Sequence, residues 1–387
     1  MRRQAGTYLI QKMAGESYKA YVPVELPPKP PVDLVRLYAH LEQATLALAQ
    51  LNAICKTIPN TTLFIYMYVR KEALLSSQIE GTQSSFSDLM LFENRQKPLV
   101  SIADVEEVSN YVKAVTHGLN RLKEGFPLSL RLLREMHGML LAGGRGCDKR
   151  PGELRHSQNW IGGTRPGNAL FVPPPVDHLH RCLGDFENFL HDNSLPVLIQ
   201  AGLAHVQFET IHPFLDGNGR LGRLLITMLL CNKGLLAEPV LYVSLYLKQN
   251  RQTYYQLLQE VRTHGSWEAW LEFFLTGVQQ SARQAISTAE RINHLFEQDL
   301  SKTATLGRAR FSCKEVLAYM RRLPQVTVPL LAKELKMSAP TARRALESMV
   351  RLAILEEISG KKRDKIYVYR DYLNILEEGA EPIDISA

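Results

Sequence analysis

Several things are scarce in this chain, and each scarcity removes a class of protein. Its 387 residues include five cysteines, Cys55, Cys147, Cys182, Cys231 and Cys313. The number is odd, the spacing is scattered and no Cys-x-x-Cys pair occurs. This argues against a disulfide framework or a zinc ribbon and leads us to expect a reducing, cytoplasmic setting. No apolar run approaches the roughly eighteen residues that a membrane span needs. The basic start Met1-Arg2-Arg3 is followed by alternating polar and apolar residues, without the apolar core or small-residue cleavage site of an export signal. Neither export nor a membrane partner is expected. Internal repeats and low-complexity tracts are also missing.

The composition that remains is ordinary for a globular protein, with 45% hydrophobic and 22% charged residues. The length allows two or three domains. The net charge of +7 is unevenly spread: residues 307–370 hold fifteen Lys/Arg against six Asp/Glu, a local +9, which leaves −2 for the rest. Excess basicity confined to one segment points to a polyanionic partner for that segment alone.

Pro23-Val-Glu-Leu-Pro-Pro-Lys-Pro-Pro31 reads as a stiff opening segment. Apolar residues at helical spacing then predict helices over 34–54, from Thr61 or Thr62 to about 80, and over 102–122 and 129–141. Further helices are predicted over 176–191 and 196–209, after Gly219, and over 249–263 and 267–301. Between Asn159 and Pro175, short β-prone runs flank Gly- and Pro-rich turns and read as a hairpin in an otherwise helical protein. From about Phe311 to Leu376 the rhythm is helix, helix, short turn, helix and hairpin, which resembles a winged helix-turn-helix domain. Its third helix would turn Ala342, Leu346, Met349 and Val350 inward and Arg343, Arg344, Glu347 and Arg351 outward.

The most informative stretch is His212-Pro-Phe-Leu-Asp-Gly-Asn-Gly-Arg-Leu-Gly-Arg223, followed at once by the apolar run Leu224–Leu230. Gly217, Asn218 and Gly219 fall at a helix start, where unpaired N–H groups and the positive dipole end attract phosphate. Arg220 and Arg223 offer forked donors for phosphate oxygens. Asp216 is the carboxylate type that holds Mg²⁺ beside phosphates. His212 can take a proton near neutral pH, and Phe214 would anchor the loop.

These residues match the Fic-family signature, His-x-Phe-x-Asp/Glu-Gly-Asn-Gly-Arg-x-x-Arg, at every specified position. The resemblance extends through the Pro-rich N-terminal region, the hairpin and Asn250-Arg-Gln-Thr-Tyr-Tyr255. It implies a mainly α fold, a helical Fic core with a β-hairpin flap, beside the C-terminal winged helix-turn-helix domain. The implied units are residues 1–105 (N-terminal helical region), 106–280 (catalytic core), 281–310 (connecting helix) and 311–387 (winged helix-turn-helix domain and tail). Fic enzymes mostly transfer AMP from ATP to a Ser, Thr or Tyr hydroxyl of a target protein, releasing pyrophosphate. By resemblance His212 would be the base and Asp216 the Mg²⁺ ligand. Ile161, Gly162, Gly163 and Thr164 would form the flap beside the nucleotide, and Tyr254 and Tyr255 would line the adenosine pocket.

Ser76-Ser-Gln-Ile-Glu80-Gly81 resembles the family's inhibitory motif. Ser76 and Glu80 share a helix face, and Gly81 ends the helix. Glu80 would pair with Arg223 in the place of the γ-phosphate. Two other readings stand beside AMP transfer: removal of AMP by the same site, and a nucleotide-sensing regulator that binds DNA. The DNA contacts would be Arg343, Arg344, Arg351, Lys361, Lys362 and Arg363. Self-modification and homodimerisation are further expectations of the resemblance.

Overall fold

The computed structural model describes residues 3–13, 15–57, 61–93, 100–361 and 365–381. The chain opens with a hairpin of β1 (Gly6–Met13) and β2 (Glu16–Pro23). Then come α1 (Leu34–Thr57), α2 (Thr61–Ile79), α3 (Phe86–Glu93), α4 (Ile102–Lys123) and α5 (Leu130–Leu140). The central part holds α6 (Val176–His191), α7 (Val197–Ile211), α8 (Asn218–Asn232), α9 (Ser244–Gln249), α10 (Arg251–His264) and α11 (Trp267–Ala304). The C-terminal unit comprises α12 (Arg310–Met320), β3 (Gln325–Thr327), α13 (Val328–Glu334), α14 (Ala339–Arg351), β4 (Glu356–Glu357), β5 (Ile366–Val368) and α15 (Arg370–Glu377). None of the described helices is long and apolar enough to cross a membrane.

Helix α7 lies at the centre, and every residue from Leu198 to Ile211 is buried. A helix that is apolar nearly all round has no solvent face to offer and must be enclosed. It packs against α6, α8 and α11. Its two glutamines are held by the surrounding backbone: Gln200 donates to the carbonyls of Phe189 (2.7 Å) and Asp192 (2.8 Å), and Gln207 to that of Val24 (2.8 Å). Behind α7, Trp270 donates to the Gly202 carbonyl at 2.9 Å and packs on the rings of His205, Tyr254 and Phe274.

The structure adds elements beyond those the periodicity predicts. The alternating residues before Pro23 form the β1–β2 hairpin, paired from Gly6↔Pro23 to Met13↔Glu16. Strand β2 also meets the flap, through Tyr21 N–H to the Val172 carbonyl at 2.9 Å. Helices α3, α9 and α15 have only eight, six and eight residues, too few for a helical period to stand out. In the C-terminal unit the strand order is β3-β5-β4, so a third strand joins the expected hairpin. Residues 267–304 form one continuous helix that runs through the expected division at 280/281.

Truncation of the indole that backs α7 should be costly. Trp270→Ala is expected to lower stability by about 3–5 kcal/mol, read as a reduced urea midpoint at unchanged m-value.

Candidate active site

The catalytic-motif residues form the turn between α7 and α8. His212 closes α7 in a left-handed conformation (φ 48°, ψ 62°), and Gly217 opens α8 with φ 74°. The turn is held by side chains that grip its backbone. Arg155 Nε donates to the His212 carbonyl at 3.0 Å, and Asn159 Nδ2 to the carbonyls of His212 (3.2 Å) and Phe214 (2.9 Å). The Asn218 side chain accepts from Phe214 N–H (2.9 Å) and donates to the Phe214 carbonyl (2.8 Å). Its amide group therefore locks the loop, leaving only its backbone N–H for a ligand. Phe214 is buried, as expected of an anchor, and stacks on His137 with ring centroids 3.8 Å apart.

His137 grips the same turn. Its Nδ1 accepts from Gly152 N–H at 2.8 Å, so Nε2 carries the proton and donates to the Asp216 carbonyl at 3.0 Å. Burial lowers its pKa to about 4, which keeps this tautomer neutral.

The first turn of α8 faces a cleft of about 460 Å³ lined by Glu80, Arg145, Trp160, Ile161, Glu209, His212, Asp216–Arg220, Arg223, Tyr254 and Tyr255. The first helical bond runs from Leu221 N–H to the Gly217 carbonyl (3.1 Å), so the amides of Asn218, Gly219 and Arg220 have no helical acceptor. Together with the helix dipole they form an anion site.

Arg223, only 1% exposed, donates through Nε to Ser76 Oγ (2.9 Å) and through Nη2 to the Ser76 carbonyl (2.8 Å) and Glu80 Oε1 (2.8 Å). Burial acts to raise the Glu80 pKa, but Arg223, helped by Arg220 and His212, brings the carboxyl below its ordinary value. A Cβ at Gly219 would meet Glu80 Oε1 at 2.3 Å, so a larger residue there would push the carboxylate from its present place over the helix start. Gly81 follows with φ +100°, where α2 stops.

Arg220 lines the cleft, with Nε and Nη1 making no hydrogen bond among the described residues. Its guanidinium lies 2.6 Å from Glu107 Oε1 and 3.8 Å from Asp216 Oδ1. Arg145 Nη2 reaches the same Glu107 oxygen (3.2 Å) and the Glu80 carbonyl (3.3 Å). Of the flap residues, Ile161 and Gly162 line the cleft, and Ile161 pairs with Phe171. Gly163 and Thr164 fall outside the lining. At the flap tip a Cβ on Gly163 would strike the Asn168 carbonyl at 2.5 Å, and Thr164 N–H donates to Asn168 Oδ1 at 3.0 Å. Tyr254 and Tyr255 form one wall, with ring centroids 4.9 Å apart. His205 Nδ1 donates to the Gly222 carbonyl (3.0 Å), which leaves Nε2 to accept from the buried Tyr254 hydroxyl (2.8 Å).

Around His212, burial, then Arg262 and Arg155, lower the imidazole pKa to about 3. The ring is neutral near pH 7, with Nδ1 unpartnered among the described residues. One turn earlier on α7, Glu209 is 6% exposed and its Oε1 has no hydrogen-bond partner. Burial raises its pKa to about 7, opposed by Arg223 and Arg262. Glu107, His137, Arg145, Arg155, Asn159, His205 and Glu209 are site residues that the motif does not name. Only Glu209 leaves a sequence trace, because it lies three residues before His212 and shares its helix face.

These features define a helical domain with an anion-binding helix start, a neutral histidine and a carboxylate stationed on a cleft arginine. Residues 38–120 match the family model described as Fic/DOC family N-terminal, and residues 127–230 the one described as Fic/DOC family. Over these residues the chain is similar to the Fic/DOC family. Protein adenylyltransferase Fic of Drosophila grimshawi is 33% identical over 162 residues, covering 41% of this chain and 30% of that protein. The protein of the same name from Drosophila melanogaster is 31% identical over the same length and shares. The chain thus spans under a third of the length of these curated relatives. A Fic family protein from Desulfovibrio desulfuricans G20 has a similar fold, with TM-score 0.57, 19% identity, and coverage of 88% of this chain and 97% of that one. Fic-1 of C. elegans matches with TM-score 0.50 and 21% identity over 66% and 73% of the two chains.

The folded Glu209 carboxyl keeps its proton to about pH 7 against an ordinary 4.5. The folded state therefore binds more protons between those values, and stability falls as pH rises through them. Glu209→Gln, which mimics the protonated form, is expected to be more stable than wild type by roughly 2–4 kcal/mol at pH 8 and by less than about 1 kcal/mol at pH 5. Urea titrations at the two pH values check this.

Proposed function

We propose that the protein transfers AMP from ATP to a Ser, Thr or Tyr hydroxyl of a target protein and that Glu80 restrains this activity. The observation that carries the reading is the Glu80–Arg223 pair, 2.8 Å apart across Gly219 at the start of α8, beside a neutral His212. A triphosphate fits the same amides and arginine. With Glu80 in place, the outermost phosphate is denied Arg223 and the nucleotide settles with its α-phosphate out of line.

In the productive pose His212 accepts the proton of the attacking hydroxyl. The hydroxyl oxygen forms a bond to the α-phosphorus, and the bond from that phosphorus to the bridging oxygen breaks, so pyrophosphate leaves. The amides of Asn218, Gly219 and Arg220 hold the charge that builds on the phosphate oxygens. Tyr254 and Tyr255 provide aromatic surface for the base, and the edge of the flap at Ile161 offers backbone groups for the target segment.

Asp216 suits a Mg²⁺ ion. Its side chain is 38% exposed, and the missing side chain of Gly146 leaves room at Oδ2, where a Cβ would stand 2.7 Å away. A single carboxylate is enough, because magnesium at nucleotide sites completes its shell with phosphate oxygens and water. When bound, the ion would neutralise charge on the phosphates.

The C-terminal unit fits a winged helix-turn-helix. Ser338 caps α14, accepting from Thr341 N–H at 3.3 Å, and Arg343, Arg344 and Arg351 on that helix are exposed together with Lys361. These cations suit a polyanion such as DNA. Lys362 and Arg363 lie outside the described residues.

With ATP labelled at the α-phosphate, and Mg²⁺, Glu80→Gly is expected to raise transfer to itself or to lysate proteins at least about tenfold. His212→Ala in that background should lower it by about 10²–10⁴. The measurements are label incorporation and the intact-mass gain of one AMP. If Glu80→Gly labels neither itself nor any other protein, AMP transfer is ruled out.

A further inference from the structure

Helix α2 carries Ser76 and Glu80, and the same helix receives the end of the C-terminal unit. From Glu377, the last residue of α15, the chain continues as Glu378-Gly379-Ala380-Glu381 across α2, α3 and α9. Lys71 Nζ donates to the Glu378 carbonyl at 3.0 Å. Gln78 Nε2 donates to the Ala380 carbonyl at 2.8 Å and to the Ser84 carbonyl at 3.0 Å. Lys248 Nζ donates to Gln78 Oε1 (2.8 Å) and to the carbonyls of Gly379 (3.5 Å) and Glu381. Ser87 binds Glu377 Oε1 through its hydroxyl (2.7 Å) and its amide (3.1 Å), and Arg291 pairs with the Glu378 carboxylate.

Side-chain donors meeting successive backbone carbonyls of a short segment is a peptide-binding arrangement. The charges match as well, since three glutamates lie among Lys71, Lys248 and Arg291. Lys71 and Gln78 are each 1% exposed. Buried donors such as these need acceptors, and the 377–381 segment provides them. Burial lowers the Lys71 pKa to about 8, while Glu378 and Glu381 oppose that shift.

The location gives the contact its consequence. Gln78 lies between Ser76 and Glu80 on the last turn of α2, and its bond to the Ser84 carbonyl also fixes the chain after Gly81. We propose that Lys71, Gln78 and Lys248 form a docking site for an extended acidic peptide, filled here by residues 377–381 of the same chain, and that its occupation holds Glu80 on Arg223. The proposal rests on the inhibitory reading of Glu80. It joins the C-terminal unit to the cleft: a ligand that draws α15 away would free the end of α2, and Glu80 with it.

Two substitutions in the full chain test the proposal from opposite sides. Gly379 has φ +76°, and a Cβ there would lie 3.0 Å from Leu245 Cδ1, so Gly379→Val dislodges the segment and leaves α2 unchanged. Lys71→Met removes one donor and keeps the stem. Transfer from labelled ATP is measured beside wild type and Glu80→Gly, and hydrogen exchange is followed over residues 71–84. Each variant is expected to transfer about tenfold more than wild type, the scale of one net hydrogen bond, and to exchange faster there. Neither should add to Glu80→Gly. Folded variants with wild-type transfer and wild-type exchange, while Glu80→Gly transfers, overturn the proposal. If Glu80→Gly itself is silent, the proposed function fails, and exchange alone judges the docking: faster supports it, unchanged removes it.

Discussion

The Arg223 guanidinium, 1% exposed, is the constraint on which the site turns. A buried arginine stays charged, so the fold must supply an anion and acceptors or lose several kcal/mol. Helix α2 meets this demand through the Ser76 hydroxyl and carbonyl and the Glu80 carboxylate. Glu80 is about one-third exposed, so of the two partners it is the one that can leave. Arg223 cannot be left without an anion, but more than one anion can satisfy it. On the proposed reading this makes the site two-state: either Glu80 or a phosphate occupies the arginine.

The turn that bears the catalytic motif is prepared by a different device. Arg155, Asn159, His137 and Asn218 come from four places in the sequence, and all of them hold backbone groups of residues 212–216. With the backbone gripped, His212 keeps Nδ1 without a partner among the described residues, and Asp216, whose Oδ1 accepts from Gly217 N–H at 2.6 Å, keeps Oδ2 free of any hydrogen bond among the described residues. That is the condition for preorganisation, in which the geometry exists before the ligand arrives. The left-handed conformation of His212, costly for a residue with a Cβ, is maintained by the two donors on its carbonyl.

The sequence exposes what depends on local order and hides what depends on assembly. The long helices follow from apolar spacing, and the glycines mark the helix start for different reasons: Gly217 has φ +74°, and Gly219 lets the Glu80 carboxylate lie against its Cα. Ser76 and Glu80 are legible as one face of α2, although their meeting with Arg223, 143 to 147 residues away, is a product of packing. Glu107 carries no such mark: it lies on an ordinary amphipathic helix and gains its role only when Arg220 and Arg145 converge on it. Arg220, expected as a phosphate donor, lines the cleft beside a carboxylate 113 residues earlier in the chain, a neighbour that the motif does not name. The residues of the β1–β2 hairpin alternate, but in the sequence that alternation serves only as evidence against an export signal, and the hairpin's support of the flap through Tyr21 and Val172 is tertiary.

On the proposed reading, the electrostatics of the cleft bear on when His212 can act as a base. With its burial against the cleft wall and Arg262 and Arg155 nearby, His212 is neutral but reluctant to take a proton, at a pKa of about 3. A general base works best when its proton affinity lies near the working pH. A triphosphate placed on the amides of α8 brings several negative charges beside the imidazole, which raises its proton affinity, because nearby opposite charge favours the protonated ring. The same anions would hold the proton on Glu209 more firmly, which removes a competing carboxylate from the Arg223 side of the cleft. On the proposed reading the nucleotide is therefore more than a donor of AMP. Its charge turns a poor base into an adequate one at the moment the phosphate is in reach, and Glu80, carrying a single charge, is a weaker substitute.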